Sequence, residues 1–314
     1  MADQETVITI SAHGLSRNFG AHAAVNNISL ELRRGEVLGF LGPNGAGKTT
    51  TMQMLTGNLA PSAGTISICG IDMLERPAAA KAKIGYLPET PPIYRELNVD
   101  EYLTLAAKLH RLSKLRRRGA IDEVKQRCGL TAVGGKLIGA LSKGFQQRVG
   151  IAQAIVHDPD VVILDEPTVG LDPNQIREIR SLIRELGGRH SVILSTHILP
   201  EVEAVCDRVQ IMHHGSLVYS DTIAALRNFQ SGRTVLLGLL RPPAIAALAA
   251  VPGVAAVEDV SETQFLLHLA ADSDPTDALV KRSVEQDWGL YRLSPGETTL
   301  EEVFVDLTRR EETQ

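Results

Sequence analysis

The sequence predicts a mixed α/β domain with a helical insertion, followed by a smaller α+β domain, and three observations lead there. A buried-strand pattern at residues 37–41 runs straight into a glycine-rich loop and a helix. Further apolar strand patterns at residues 84–87, 161–164 and 191–194 alternate with amphipathic helical stretches, the order that builds a parallel sheet. Past residue 231 the pattern changes to short strands and helices in the order βαββαβ.

At 314 residues the chain has room for two such domains, each with its own core. Its three cysteines, Cys69, Cys128 and Cys206, have neither metal nor redox spacing and read as small buried hydrophobes. A formal net charge of −5 argues against a whole-protein nucleic-acid binder, which needs clustered Lys and Arg. The first residues, Met1-Ala2-Asp3-Gln4-Glu5, carry acids where an export signal carries bases. The most apolar stretch, 235–257, is broken by Arg241-Pro242-Pro243 and Pro252-Gly253, well short of the ~18 to 20 clean residues that span a bilayer. Any link to a membrane is therefore expected to run through a partner.

Gly42-Pro43-Asn44-Gly45-Ala46-Gly47-Lys48-Thr49-Thr50 fits the spacing G-x-x-x-x-G-K-[ST] of a nucleotide phosphate loop. Its glycines let the backbone wrap a phosphate and aim N–H groups at it, with the positive end of the next helix behind them. Lys48 supplies a full charge to the β- and γ-phosphates, and the Thr49 hydroxyl suits a Mg²⁺ that bridges them. ATP or GTP is the expected ligand.

Ahead of this loop, residues 7–11 and 28–32 alternate apolar and polar side chains and predict an antiparallel layer. Phe19-Gly20, between them, reads as a core aromatic or as a base-stacking platform. The strand at residues 84–87 delivers Glu89 to its end, where loops carry function. Asn98 and Glu101 then form a capping box that opens a helical insertion over residues 98–157. Its basic stretch, Lys108, Arg111, Lys114, Arg116, Arg117 and Arg118, is either a solvated face or a surface for anionic lipid headgroups. Leu141-Ser142-Lys143-Gly144-Phe145 opens the next helix, with Ser142 as N-cap and free N–H groups that make an anion site.

The strand at residues 161–164 ends in two carboxylates. Asp165 suits Mg²⁺ through a water, and Glu166 can orient or deprotonate an attacking water. Residues 167–172 form a tight loop, ending at Asp172, into a helix from Pro173. The strand at 191–194 leads to Ser195-Thr196-His197, where an α/β sheet gathers its ligand-binding loops, and a γ-phosphate contact is expected for His197. Residues 208–212 and 217–220 predict a hairpin. The βαββαβ region closes with a helix capped by Thr299 with Glu302, shows no catalytic constellation, and is expected to serve regulation or assembly.

The ordered set of the phosphate loop, Glu89, residues 141–145, Val161 to Glu166, Asp172 and His197 resembles the ATP-binding cassette of ABC proteins over roughly residues 6–230. The resemblance implies a P-loop ABC ATPase cassette at 1–230, a mixed sheet with an antiparallel β layer and a helical subdomain at about 90–157. A small C-terminal α+β, ferredoxin-like accessory domain would occupy 231–314. It implies ATP and Mg²⁺, with Phe19 stacked on adenine, residues 42–50 around the phosphates, and Thr49, Glu89 and Asp165 near the metal. Glu166 would be the catalytic base and His197 the switch histidine. Ser142, Lys143 and Gly144 would face the γ-phosphate of ATP held by another cassette, and Asp172 joins the nucleotide-binding set.

Two departures stand out. The family's usual Gln is Glu89 here, and the common Leu-Ser-Gly-Gly-Gln reads Leu-Ser-Lys-Gly-Phe. Both, with Gln146-Gln147-Arg148 and the ending Thr299-Leu300-Glu301-Glu302-Val303-Phe304, are similar to ABC-2-type bacterial exporters, particularly gliding-motility and sodium-export ATPase subunits. The resemblance then implies an ATPase subunit at the cytoplasmic face of the inner membrane, bound to separate transmembrane permease subunits. It would pair with a second copy or a paralogous cassette and bind no nucleic acid. The alternative is a soluble non-transport ABC ATPase acting on ribosomes or DNA, which more often has tandem cassettes or a long coiled coil. A nucleoside kinase or GTPase leaves residues 141–145 unexplained.

Overall fold

The structure is a computed structural model that describes residues 7–230, 234–270 and 273–296. The chain divides into two compact units between Ile223 and Ala224. The first unit begins with β1 (Ile8–Phe19), β2 (His22–Arg33), β3 (Val37–Leu41), α1 (Lys48–Leu55), β4 (Ala63–Ile68), β5 (Ile71–Asp72), α2 (Pro77–Lys81) and β6 (Ile84–Leu87). The helical insertion follows as α3 (Val99–Leu109), α4 (Lys114–Arg127) and α5 (Lys143–Ile155). Then come β7 (Val161–Asp165), α6 (Pro173–Gly187), β8 (Ser191–Thr196), α7 (Leu199–Val205), β9 (Arg208–His213) and β10 (Ser216–Thr222), with α8 (Ile223–Gln230) starting at the division.

Two sheets carry this unit. The antiparallel layer has the order β2-β1-β4-β5, and the second sheet has the order β10-β9-β3-β8-β7-β6, parallel except at its β10 edge. All residues of β3, β7 and β8 are buried, as expected for parallel strands covered on both faces. One core, including Ile10, Leu30, Leu38, Phe40, Met52, Ile66 and Ile193, combines side chains of the two sheets and α1. The other, including Leu103, Val149, Leu164, Ile183 and Leu194, fills the opposite side against α3, α5 and α6. Cys128 is buried and burial pushes its thiol up to about 12; Cys69 and Cys206 are partly buried, and no disulfide joins the three.

The structure lengthens one expected element. The alternation at residues 7–11 marks a short strand, but β1 runs on to Phe19. Register irregularities between Ala12 and Leu15, and again up to Asn18, break the two-residue period that the sequence pattern depends on. The strand therefore extends to the place where Phe19 is presented. Helix α3 opens on the expected box: Asn98 Oδ1 accepts from Glu101 N at 2.8 Å, and the Glu101 carboxylate accepts from Asn98 N at 2.9 Å.

The second unit contains β11 (Thr234–Leu239), α9 (Ile245–Ala249), β12 (Val254–Ser261), β13 (Gln264–Leu269), α10 (Thr276–Glu285) and β14 (Leu290–Pro295). Its antiparallel sheet has the order β12-β13-β11-β14, which places the first strand between the third and the fourth, the ferredoxin-like arrangement. Leu237, Leu239, Leu248, Phe265, Leu267, Leu279 and Trp288 form its core. The expected final helix, with Thr299 and Glu302, lies outside the described residues.

Strand β6, which leads to Glu89, rests closely on α5: a Cβ at Gly85 would stand 2.1 Å from the Ala154 carbonyl oxygen. Gly85→Ala is therefore expected to destabilise the protein by roughly 1–3 kcal/mol. Gly119→Ala, in α4 with nothing within 4 Å of the added carbon, serves as the tolerated control. Urea unfolding midpoints check this, and a Gly85→Ala midpoint at or above wild type would contradict the packing.

Candidate nucleotide site

The loop between β3 and α1 is anchored by its own backbone. Ala46 N donates to Pro43 O at 3.2 Å, and Gly215 N, from the β9–β10 turn, donates to Ala46 O at 3.0 Å. Gly47 enters α1 at φ +105°, and a Cβ there would lie 2.4 Å from Ala24 O, so only glycine fits. The turn leaves Lys48 almost wholly buried, 6% exposed. Its Nζ donates to Gly42 O at 2.8 Å and Pro43 O at 3.3 Å and lies 3.4 Å from Glu166 Oε1. A cation so enclosed is coordinated by oxygen dipoles and one carboxylate, the kind of ligands that phosphate oxygens replace.

Two carboxylates follow at the tip of β7. Asp165 is fully buried; Ser195 Oγ donates to its Oδ1 at 2.7 Å, and its Oδ2 is buried without a hydrogen-bond partner. Burial pushes its carboxyl above the ordinary range, with the Ser195 and Thr49 hydroxyls pulling the other way. Glu166 turns into the left-handed region at φ +49°, held by its N–H donating to Ser195 O at 2.8 Å. That turn departs from the strand pleat and brings the carboxylate to the cleft. His197, one residue beyond β8, sets Nδ1 at 3.0 Å from Glu166 Oε2 and 3.1 Å from Oε1. With a carboxylate as partner, Nδ1 is the nitrogen that carries hydrogen.

Lys48, Glu166 and His197 border a cavity of about 540 Å³, whereas Asp165 is fully buried and does not line it. Of the residues expected at a nucleotide, Phe19, Asn44, Gly45, Gly47, Lys48, Thr49, Thr50, Glu89, Glu166 and His197 line it. Phe19 is half exposed at the cavity, and the Arg17 guanidinium covers its ring at 4.8 Å. The remaining loop members contribute from below: the Gly42 and Pro43 carbonyls hold Lys48, and Ala46 is buried.

Ser142, Lys143, Gly144 and Asp172 do not line this cavity. Ser142 Oγ caps α5 by accepting from Phe145 N at 3.5 Å, and Asp172 Oδ1 caps α6 by accepting from Asn174 N at 2.9 Å and Gln175 N at 3.0 Å. Lys143 borders a neighbouring cavity of about 570 Å³ that shares Glu89 and Val169 with the first. A Cβ at Gly144 would meet the Gln175 side chain at 2.6 Å, so this helix start sits close to α6.

Among the described residues no three His, Cys, Asp or Glu side chains group as a metal cage. The donors present, the Thr49 hydroxyl and the Asp165 and Glu89 carboxylates, fit instead a Mg²⁺ that keeps several waters and is held by one or two protein oxygens plus phosphates. The unpartnered Oδ2 of Asp165 is the acceptor such an ion or its water would satisfy. Sequence reasoning missed the buried Ser195 and Glu201. Ser195 is one residue from a strand end it was already reading, whereas nothing local marks Glu201 as buried.

Over residues 25–169 the chain matches the family described as ABC transporter, and over residues 137–202 the one described as AAA domain, putative AbiEii toxin, Type IV TA system. It is 40% identical over 211 residues to the bacitracin transport ATP-binding protein BcrA of Bacillus licheniformis, a match covering 67% of this chain and 68% of that one. It is 32% identical over 315 residues to the daunorubicin resistance ATP-binding protein DrrA3 of Streptomyces coeruleorubidus, covering 98% and 97%. Among solved structures, an ATP binding subunit of an ABC transporter shares 32% identity with a TM-score of 0.64, covering 70% of this chain and 92% of that one.

Removing the Lys48 ammonium takes away the charge that faces the cavity. Lys48→Ala is expected to weaken Mg²⁺-ATP binding about tenfold or more, the size of losing hydrogen bonds to a charged group. Equilibrium titration with a fluorescent ATP analogue measures it, and an unchanged affinity would remove Lys48 from the site.

Proposed function

The chain belongs to the ATP-binding subunits of ABC transporters, and from that membership we propose that it powers an export-type transporter by binding and hydrolysing ATP. The observation that carries the reading is the convergence of Lys48, Glu166 and His197 from three separate segments on one cavity at the ends of parallel strands, with Asp165 buried next to Glu166. The names of relatives such as the bacitracin transport and daunorubicin resistance ATP-binding proteins support export as the direction. Among the described residues no helix is long and apolar enough to cross a membrane. Transport would therefore use separate transmembrane permease subunits, with this chain peripheral at the cytoplasmic face of the inner membrane. A ribosome- or DNA-directed ATPase has no comparable support.

In this reading Lys48 exchanges the Gly42 and Pro43 carbonyls for the β- and γ-phosphate oxygens, and Glu166 is released from Lys48 to orient and deprotonate water. His197 stays against Glu166 and reaches the γ-phosphate, while Phe19 stacks on the adenine. Thr49, Asp165 and Glu89 would hold Mg²⁺, which when bound neutralises charge developing on the β- and γ-phosphates. Ser142, Lys143 and Gly144 would complete the site of a second cassette, either a second copy or a paralogue, a reading supported by their position off this chain's own cavity. The second unit is assigned to regulation or assembly.

If Glu166 activates water, Glu166→Gln slows hydrolysis by ~10² to 10⁴ while ATP binding survives. With its exit step blocked, that variant should accumulate as an ATP-bound dimer, seen by sedimentation velocity. Hydrolysis at the wild-type rate would contradict the role of Glu166, and a strict monomer with saturating ATP and Mg²⁺ would contradict the paired site.

Subunit mixing gives a second test. Ser142→Arg and Lys48→Ala should each be nearly inactive alone. Together they form one composite site with intact Lys48 facing intact Ser142, and part of the activity should return. Mixtures no more active than either variant would argue against a shared site.

A further inference from the structure

Behind the Glu166–His197 pair lies a buried carboxylate that the reaction does not use directly. Glu201, in the first turn of α7, is 1% exposed. Its Oε1 accepts from Thr168 Oγ1 at 2.5 Å, and its Oε2 accepts from Thr196 Oγ1 at 3.0 Å. Thr168 stands two residues after Glu166, and Thr196 stands immediately before His197; both are buried. Thr196 Oγ1 also accepts from Ile198 N at 3.2 Å, so the carboxylate reaches the backbone on the far side of His197 as well.

Helix stability does not account for this arrangement. An acid in a first turn interacts favourably with its own helix's free N–H groups, but the Glu201 oxygens are taken by hydroxyls from two other segments. Nor does it suit simple packing, because burying a carboxylate costs free energy that a Leu or Met of similar volume avoids. What the carboxylate supplies is a fixed distance between two strand-end segments. Those segments carry the strained backbone of Glu166, at φ +49°, and the imidazole against it. Strands β7 and β8 set Asp165 opposite Ser195, Glu166 adds contacts to Ser195 O and His197 just past the end of β7, and Glu201 adds a side-chain bridge from Thr196 at the end of β8 to Thr168 beyond β7.

We propose that Glu201 is a positioning residue for ATP hydrolysis, clamping the Thr168 and Thr196 segments so that Glu166 and His197 keep their mutual geometry. The proposal rests on the reading of Glu166 as the group that activates water. It acts through position, so its loss should move turnover and not nucleotide affinity.

Steady-state ATPase rates and ATP affinity of the full-length chain test this. Thr168→Val keeps the side-chain shape without the hydroxyl, and Glu201→Gln replaces one acceptor oxygen by a donor. Each is expected to lower kcat about tenfold or more with KM and ATP affinity unchanged, the scale of losing one hydrogen bond to a charged acceptor. Thr168→Ser, which keeps the hydroxyl, should restore the rate. The double variant should be no slower than the slower single one, because both remove the same link.

Wild-type kcat per folded molecule in both Glu201→Gln and Thr168→Val would overturn the proposal, even if their unfolding midpoints fall. Parallel losses of kcat and ATP affinity would overturn it too. Glu166→Gln, run alongside, separates the levels: if it is inactive while Glu201→Gln is fully active, only the clamp is wrong. If Glu166→Gln itself is active, the reading beneath the clamp fails with it.

Discussion

The arrangement depends on one buried ion pair. Lys48 and Glu166 stand 118 residues apart in sequence, yet their charged ends meet at 3.4 Å with 6% and 7% of each side chain exposed. Charges so enclosed are costly unless each is matched, and breaking one partner away leaves an uncompensated charge. The protein meets that requirement with the Gly42 and Pro43 carbonyls on the cation and His197 on the carboxylate. None of these groups can be placed without the others. The glycine loop must curl under Lys48, β7 must end at Asp165, and the backbone must turn left-handed at Glu166.

The neighbouring elements fix the positions of both partners of that pair. β3, β7 and β8 are buried along their whole length and paired in register, so their ends cannot drift. The phosphate loop is tied to the β9–β10 turn through Gly215. Asp165 is held by Ser195 on the adjacent strand, and burial raises its proton affinity. A carboxylate kept in this state would gain from a nearby cation, in keeping with the Mg²⁺ role proposed for Asp165.

Much of this was legible in the sequence because the site residues sit where local patterns change. The phosphate loop, Asp165-Glu166 and His197 each follow an apolar run that can only be a strand, and a side chain just past a parallel strand is at the ligand edge. The βαββαβ order of the second unit followed from hydrophobic periods in the same way. What local pattern could not reveal is long-range. The bulged continuation of β1 has no constant period, so the strand that presents Phe19 extends past its legible part. Glu201 looks like any first-turn acid until α7 is seen packed against β3 and β8, with the carboxylate bound to Thr168 and Thr196. Asp172, grouped with nucleotide binders, has its Oδ1 occupied as the cap of α6. Ser142, Lys143 and Gly144 lie off the cavity, and a single chain contains no instruction for what they face.

In the proposed mechanism Lys48 exchanges Glu166 and the Gly42 and Pro43 carbonyls for the phosphates of ATP, leaving Glu166 free to face water. The most direct measurement is a structure of this protein with Mg²⁺ and a non-hydrolysable ATP analogue. In it, β- and γ-phosphate oxygens are expected within hydrogen-bond distance of Lys48 Nζ, with Asp165 on the metal side and the Glu166 carboxylate turned to a water beside the γ-phosphate. Nucleotide bound while Lys48 remains on Glu166 and the Gly42 carbonyl, or bound away from the loop at residues 42–50, would contradict this mechanism.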